Sequence, residues 1–384
     1  MVVDRVPPTT RRRSGPTGGP PPLVRSRTIS PCGLSELAQR FLGFNTPGFD
    51  ARASVMPLAL PSLHLADLYL RARMLGQGGC GTALAVRDQF GDNFVIKRAT
   101  DATPQTGIGS LWHEKVGLAR LNLYVPEVHC FRPGENGKSE IVMGRAPGNA
   151  LADFMPQVRD EIIKGKHFDL LHNYYTNSLI IIAKILRAIE YFESKGLVHR
   201  DLKPDNIIVE FQEGGRLKVT IIDLGVWCEA DEPLKEVAGS PRYMAPEQAE
   251  LNRGIDSRSD VYAVGIMLYE SLFGRTQVSR DLEKVKGKAS LRDLSWQIVM
   301  ARMNGNAFGD LPTDEDLRDR LMEHNAMQSR RASRIVSVLR KMTNETPRNR
   351  LRPKDARIEL EKIIEEMQAP DLSAYATLIS VVPG

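Results

Sequence analysis

The residues best suited to chemistry in this chain lie close together, between His199 and Asn206. Asp201 contributes a carboxylate, Lys203 an ammonium and Asn206 an amide, all within six residues. Because Pro204 would disrupt the interior of a helix, this stretch is predicted to be a loop. Phosphoryl transfer needs this combination: a carboxylate that accepts the proton of the attacking hydroxyl, a cation that neutralises the transferring group, and an amide oxygen that binds a metal ion.

A glycine-rich segment lies far upstream, with Gly76, Gly78 and Gly81 in the pattern G-x-G-x-x-G. Alone, this pattern is a weak signal, since glycine clusters more often mark plain turns. The flanking segments 69–75 and 82–87 both have the residue pattern of strands, which predicts strand–loop–strand rather than the strand–loop–helix of a dinucleotide site. Glycines let backbone amides approach phosphates without obstruction by side chains.

These segments, in this order along the chain, resemble the protein kinase family. Residues 199–206 resemble its catalytic loop, and the position of Lys203 after Asp201 is similar to that of the serine/threonine branch. The resemblance implies an α+β, bilobal protein kinase fold, in which a small antiparallel β lobe carries one main helix and the larger lobe is helical. It also implies ATP and Mg²⁺, with Mn²⁺ as an alternative metal, a protein substrate with a Ser or Thr acceptor, and a signalling role.

The resemblance assigns the central catalytic roles. Asp201 corresponds to the residue that orients the substrate hydroxyl and takes its proton, and Lys203 to the one that stabilises the transferring phosphoryl group. Asp223, in Asp-Leu-Gly where the family has Asp-Phe-Gly, corresponds to a Mg²⁺ ligand, with Asn206 as the second protein ligand. Leu224 keeps an apolar side chain at the Phe position.

Lys97, at the end of an apolar strand, corresponds to the lysine that grips the ATP phosphates. That lysine needs a carboxylate on the following helix, and Glu114 is the one Glu between residues 98 and 125. We therefore expect a Lys97–Glu114 ion pair, with Leu118 and Leu121 on the same inward helix face. A surface helix charge is the alternative interpretation of Glu114.

The adenine pocket is expected in the cleft between the lobes. The resemblance places Leu75 and Ala83 beside the glycine-rich loop, with Ala83 where the family usually has Val. Met143 would lie at the back of the pocket. The backbone of Gly144 and Ala146 would then meet the adenine edge.

A further segment, 239–247, resembles the substrate-facing loop that ends in Ala-Pro-Glu. Ser240 stands where serine/threonine kinases usually carry a Thr that hydrogen-bonds the catalytic Asp and Lys. Glu247 is expected to need a buried cation, for which Arg350 is the matching candidate. Asp260 matches the residue that anchors the backbone of the catalytic loop.

Arg200, directly before the catalytic Asp, raises the question of regulation. Many kinases with this Arg are switched on when a phosphorylated loop residue pairs with it. Between Asp223 and Gly239 this chain has no Ser, Thr or Tyr. It has four acidic residues there: Glu229, Asp231, Glu232 and Glu236. Our hypothesis is that one of these carboxylates pairs with Arg200 and holds the loop active without phosphorylation; the alternative is an ordinary exposed acidic loop.

Composition divides the 384-residue chain into four parts. Residues 1–32, rich in Pro, Arg, Ser and Thr, are predicted to be disordered, because they cannot bury enough surface to offset the entropy of ordering. Residues 33–67 are expected to form a linker with a short helix that docks on the kinase domain. The kinase domain is predicted at 68–367, followed by a C-terminal extension at 368–384.

Other classes of protein are disfavoured by composition. Much of the net charge of +5 comes from the N-terminus, and no basic face is interleaved with aromatic residues, so no nucleic acid partner is expected. No apolar run reaches the ~18–20 residues needed to span a bilayer. Four scattered cysteines predict neither disulfides nor a zinc site, which is typical of the cytoplasm. The polar N-terminus is also typical of bacterial effectors injected into host cells. The sequence leaves the oligomeric state open.

Two other functions use a related fold. A pseudokinase scaffold would bind partners without catalysis; every catalytic position is filled, but Ala83 and Cys80 depart from the usual glycine-loop pattern. A small-molecule kinase is disfavoured by Lys203 and by the segment 239–247. Turnover of ATP would separate a kinase from a scaffold, and a comparison of acceptors would separate the two kinds of kinase.

Overall fold

The structure is a computed structural model, and it describes residues 72–368 except 79–80, 88–90, 105–106, 108, 134–137, 213–215 and 275–311. The predicted tail at 1–32, the linker at 33–67 and nearly all of the extension at 368–384 lie outside the described residues, as does Cys80. Predictions about these parts, including the effector interpretation, therefore stay predictions.

The small lobe contains a five-stranded antiparallel sheet with the strand order β1-β2-β3-β5-β4. Its strands are β1 (Arg73–Gly78), β2 (Gly81–Arg87), β3 (Asn93–Arg98), β4 (Val128–Pro133) and β5 (Ser139–Gly144). β1 extends into the glycine-rich segment, three residues beyond the predicted end at Leu75. Side chains alternate between the two faces of a strand, so Ile141 and Met143 join the main core, whereas Val142 joins a second apolar cluster on the other face.

One helix, α1 (Leu111–Ala119), accompanies this sheet. Ser110 is its N-cap: the Ser110 side chain accepts a hydrogen bond from the backbone nitrogen of His113 at 3.0 Å. Leu118 and, just past the helix, Leu121 are buried in the main core. The helix therefore turns its apolar side inward and presents Glu114, which is also buried, to the same interior.

The large lobe is helical. The α-helices among its described residues are α2 (Leu151–Lys164), α3 (Leu171–Ser194), α4 (Arg258–Phe273), α5 (Asp314–Met322), α6 (Ser329–Met342) and α7 (Pro353–Gln368). The central helix is α3, which packs against α4 and α7 and buries apolar residues on most of its sides. None of the helices in the described ranges has the length and apolar character required to cross a membrane.

Short strands in the large lobe position the candidate site. They are β6 (Asn149–Ala150), β7 (Leu197–Val198), β8 (Ile207–Phe211), β9 (Leu217–Ile221) and β10 (Cys228–Glu229). In the β8–β9 hairpin Ile207 pairs with Ile221, so the residues just before β8 lie beside those just after β9. This register brings Asn206 and Asp223 to the same end of the hairpin. The small antiparallel lobe and the helical lobe confirm the predicted α+β bilobal kinase fold.

Candidate active site

The backbone of the catalytic loop is anchored by Asp260, a buried carboxylate in the first turn of α4. Asp260 accepts hydrogen bonds from the backbone nitrogen of His199 at 2.8 Å and from that of Arg200 at 3.0 Å. Burial raises the pKa of Asp260, although His199 and Arg200 oppose this shift. Arg200 has a φ of 70°, which is uncommon for a residue other than glycine, so Asp260 stabilises a turn that would be unfavourable alone.

Asp201, Lys203, Ser240 and Asn206 form one hydrogen-bonded group. The Lys203 ammonium donates to Asp201 Oδ2 at 2.8 Å and to Ser240 Oγ at 3.0 Å. Asn206 Nδ2 donates to the backbone oxygen of Asp201 at 2.9 Å. Burial lowers the pKa of Lys203, but the Asp201 carboxylate outweighs burial and the net shift is upward. Asp201 Oδ1 is buried with no hydrogen-bond partner among the described residues, so one acceptor atom of this carboxylate is unused.

A second charged group connects the two lobes. The Lys97 ammonium lies 2.7 Å from Glu114 Oε2 and 2.8 Å from Asp223 Oδ1. Burial lowers the pKa of Lys97, but the two carboxylates outweigh burial and raise it above its usual value. Burial also favours the neutral form of Asp223, yet Lys97 holds the pKa of that carboxyl below its usual range. Lys97 is thus positively charged and Asp223 negatively charged at neutral pH.

Glu114 differs from Asp223 because it is almost completely buried. Burial raises the pKa of Glu114 to about 7, against the opposing pull of the Lys97 ammonium. The ion pair between these residues therefore loses its negative partner as the pH falls below neutrality.

Two oxygen donors at the end of the β8–β9 hairpin fit a hard metal ion. They are the carboxylate of Asp223 and the side-chain oxygen of Asn206, whose amide nitrogen is already engaged by Asp201. Mg²⁺ prefers such ligands and is usually completed by phosphate oxygens and water. In the described part of the chain, no three His, Cys, Asp or Glu side chains are grouped to hold a metal without such help.

Two described glycines of the glycine-rich segment, Gly76 and Gly81, differ in the space around them. A Cβ added at Gly76 would meet nothing within 4 Å, whereas one at Gly81 would lie 2.4 Å from the backbone oxygen of Arg98. Gly81, with a φ of 127°, is therefore required by the chain's own packing, while Gly76 leaves room for a ligand. Gly78 lies opposite Gly81 in the strand register. Ala83 lies opposite Lys97 in the register of β2 and β3.

The residues expected to line an adenine pocket differ in their exposure. Met143 is buried and Ala146 is half-buried, whereas Leu75 is exposed. The amide nitrogen of Gly144 already donates to the backbone oxygen of Glu127 at 2.9 Å. The amide nitrogen of Gly144 is therefore already engaged within the protein.

The segment 239–247 is joined to the rest of the large lobe by a buried ion pair. Arg350 donates to both carboxylate oxygens of Glu247, at 2.5 and 3.0 Å, and both side chains are almost fully buried. Gln248 donates through Nε2 to the backbone oxygen of Arg200 at 2.9 Å. Segment 239–247 and the loop at 199–206 are thus held together.

The structure does not contain the predicted pair between Arg200 and a loop carboxylate. Arg200 Nη2 donates to the backbone oxygen of Glu236 at 2.8 Å, and its Nε and Nη1 are buried without a partner among the described residues. The carboxylate of Glu229 is committed to Arg120, at the end of α1. Asp231, Glu232 and Glu236 are exposed, as the alternative of an acidic surface loop predicts.

Two residues that no sequence motif identified, His113 and Trp227, border the site. Their rings stack with centroids 4.9 Å apart, directly beside Glu114. One signal was present in the sequence: Gly117 stands inside a helix, where glycine is unfavourable unless something needs the space.

Comparison with known proteins agrees with this geometry. A family model described as protein kinase domain matches residues 69–359. The chain therefore belongs to the protein kinase family.

Several curated proteins are similar to the chain. Serine/threonine-protein kinase Pkn1 of Myxococcus xanthus is 39% identical over 100 residues, which cover 25% of this chain and 14% of that protein. Serine/threonine-protein kinase GD17699 of Drosophila simulans is 28% identical over 278 residues, or 69% of this chain and 35% of that protein. Serine/threonine-protein kinase pkn3 of Myxococcus xanthus is 29% identical over 224 residues, which cover 55% of this chain and 38% of that protein. The chain spans less than half the length of these relatives.

Proposed function

We propose that the protein is an active serine/threonine kinase that transfers the γ-phosphate of ATP to Ser or Thr hydroxyls of a protein substrate, in a signalling role. The observation that carries this proposal is the pair of lysine bridges: Lys97 joins Glu114 to Asp223, and Lys203 joins Asp201 to Ser240. The names of the similar proteins also support the serine/threonine branch.

In this proposal the side chains act mainly by position and charge. Asp201 accepts the hydroxyl proton at its free Oδ1 and orients the attacking oxygen. Lys203 and Lys97 neutralise charge on the phosphate oxygens from opposite sides of the cleft. Asp223 and Asn206 would hold Mg²⁺, which when bound stabilises the charge that builds up on the phosphates.

A protein acceptor is favoured over a small molecule by the segment 239–247. Its start is tied to Lys203 through Ser240, and its end is fixed by the buried pair of Glu247 and Arg350. The test compares phosphate transfer from Mg-ATP to a basic protein, a sugar, choline and an aminoglycoside. Phosphoserine or phosphothreonine on the protein alone is expected; transfer to a small molecule instead would contradict the proposal. Binding of ATP without transfer to any acceptor would support the scaffold.

We also propose that activity does not depend on phosphorylation of the loop at 224–238. This segment contains no hydroxyl side chain, and the group that accepts a hydrogen bond from Arg200 is the backbone carbonyl of Glu236 rather than a phosphate. Treatment of the purified protein with a phosphatase, followed by its removal, should leave the rate of transfer unchanged. A loss of most of the activity would show that a phosphate elsewhere in the chain is required.

A further inference from the structure

We propose that His113 and Trp227 are positioning residues that fix helix α1 so that Glu114 reaches Lys97. The inference rests on the proposed kinase activity and explains how the site is held in order without a loop phosphate. We call the His113–Trp227 contact the helix clamp.

The clamp consists of two reciprocal hydrogen bonds. His113 Nε2 donates to the backbone oxygen of Trp227 at 2.9 Å, and Trp227 Nε1 donates to the backbone oxygen of His113 at 2.9 Å. The two rings stack with an interplanar angle of 16°. Each residue therefore uses both its side chain and its backbone, which fixes distance and orientation together.

The clamp joins the two segments that supply the carboxylates around Lys97. His113 directly precedes Glu114 on α1, and Trp227 lies four residues after Asp223. The distance between Glu114 and Asp223, which Lys97 bridges, thus depends on the distance between His113 and Trp227. A shift of α1 away from Trp227 would separate Glu114 from Lys97.

Gly117 provides the space that the indole ring occupies. A Cβ at this position would lie 2.4 Å from Trp227 Nε1 and 2.6 Å from Trp227 Cδ1, closer than non-bonded atoms approach. Glycine is among the least favourable residues inside a helix. The close approach of Trp227 explains why a glycine stands at position 117, two residues before the end of α1.

Two further contacts hold the same pair of segments. The backbone nitrogen of Gly109 donates to the backbone oxygen of Gly225 at 2.8 Å, just before α1 begins. Just after α1 ends, Arg120 lies 5.3 Å from the centre of the Trp227 ring and forms an ion pair with Glu229. The helix is therefore attached at both ends and at its centre, and none of these contacts needs a phosphate.

The first test is Gly117→Ala, because two explanations predict opposite results. Alanine favours the helix, so a role limited to helix stability predicts equal or higher activity. The clamp predicts that kcat falls by about tenfold or more while KM for the protein acceptor changes by less than about twofold. Ala119→Gly is the matched control: it weakens the exposed end of α1 without touching Trp227, and its kcat should stay close to that of the wild type.

The second test is Trp227→Phe, which keeps an aromatic ring but removes the Nε1 donor, with Trp112→Phe on the exposed face of α1 as its control. The clamp acts through Glu114, so Trp227→Phe should lower kcat in the wild type and have little further effect in Glu114→Gln. If the full loss persists in Glu114→Gln, Trp227 acts by another route and the proposal is wrong.

Hydrogen exchange of residues 111–119 provides a readout that does not require catalysis. The clamp predicts faster exchange in Gly117→Ala and Trp227→Phe than in the wild type, and unchanged exchange in Trp112→Phe. Unchanged exchange in all the variants would overturn the clamp even if the enzyme is active. A wild type without phosphate transfer but with the expected exchange pattern would instead count against the proposed function alone.

Discussion

The Lys97 ammonium lies 2.8 Å from the Asp223 carboxylate, across 126 residues of sequence. Lys97 belongs to the sheet of the small lobe, and Asp223 follows the β8–β9 hairpin of the large lobe. Their contact therefore joins the two halves of the cleft at the point where nucleotide phosphates would bind. Because Lys97 also pairs with Glu114, one cation brings together three chain segments.

Removal of this cation is expected to reduce catalysis strongly. Lys97→Met should lower kcat/KM for ATP by about 10²–10³-fold or more, by analogy with the loss of one preorganised donor. Lys115→Met removes a cation of α1 that lies over the exposed Trp112 ring; it serves as the control and should retain most of the activity. Steady-state kinetics with a protein acceptor measures both; similar activity in the two variants would contradict the role of Lys97.

The raised pKa of Glu114 predicts an acidic limb in the activity profile. Glu114 has a pKa of about 7, so it becomes neutral as the pH falls and no longer holds the Lys97 ammonium in place. In the wild type, kcat/KM for ATP should therefore decline below about pH 7. Glu114→Gln should have low activity at every pH and lack this limb. A limb that is retained in Glu114→Gln would belong to another group.

The raised pKa of Glu114 also predicts how the stability of a variant without Lys97 depends on pH. In Lys97→Met, Glu114 stays buried without a cation, so its pKa should rise further above the ordinary value. A buried carboxyl of this kind destabilises the folded state only when it is ionised. The free energy of unfolding therefore decreases as the pH rises through the folded-state pKa. The melting temperature of Lys97→Met, relative to the wild type, should thus be lower at pH 8 than at pH 6. An equal difference at both values would contradict the burial of an ionised Glu114.

The buried pair of Arg350 and Glu247 should contribute far more to stability than an exposed pair nearby. Arg350→Met leaves the Glu247 carboxylate buried without its cation and should cost about 3–5 kcal/mol. Arg352→Met removes a partly exposed pair with Glu193 and should cost about 0–1 kcal/mol. Urea unfolding measures the free energy of unfolding of both variants. Equal losses in the two variants would mean that other contacts fix segment 239–247.

Ser240 is expected to orient Lys203 through its hydroxyl. Ser240→Ala should lower kcat by about tenfold or more, because a hydrogen bond to a charged group contributes about 1.5–3 kcal/mol. Ser240→Thr keeps the hydroxyl and should retain activity. Ser194→Ala, at the exposed end of α3, is the control for loss of a serine hydroxyl. If Ser240→Ala and Ser240→Thr have the same kcat, the contact with Lys203 is not needed.

Several parts of the fold could be predicted from short motifs, because the residues of each motif restrict the local backbone conformation. Pro204 predicted a loop without an α-helix, and the structure has one turn of 3₁₀ helix at Pro204–Asn206, where the proline occupies the first position and so loses no hydrogen bond within the helix. The proximity of Lys97 and Glu114 could be anticipated because the segment between residues 98 and 125 contains a single Glu. The proximity of Glu247 and Arg350 followed from the family pattern.

The remaining contacts could not be read from the sequence, because they depend on backbone atoms or on distant segments. The partner of Arg200 is the carbonyl of Glu236, and every residue type provides a carbonyl. The stacking of His113 on Trp227 joins positions 114 residues apart, and no motif connects them. Only the unexpected glycine at position 117 indicated that another group approaches α1.

The most direct test of the account compares wild-type protein with Asp201→Asn for incorporation of phosphate from Mg-ATP into a basic protein acceptor. Asn keeps the size of the side chain but cannot take the proton of the hydroxyl at Oδ1. We expect phosphoserine or phosphothreonine with the wild type, and a loss of about 10²-fold or more in the variant, with ATP affinity retained. Equal incorporation by both proteins, or none by the wild type with ATP bound, would contradict the proposed kinase mechanism.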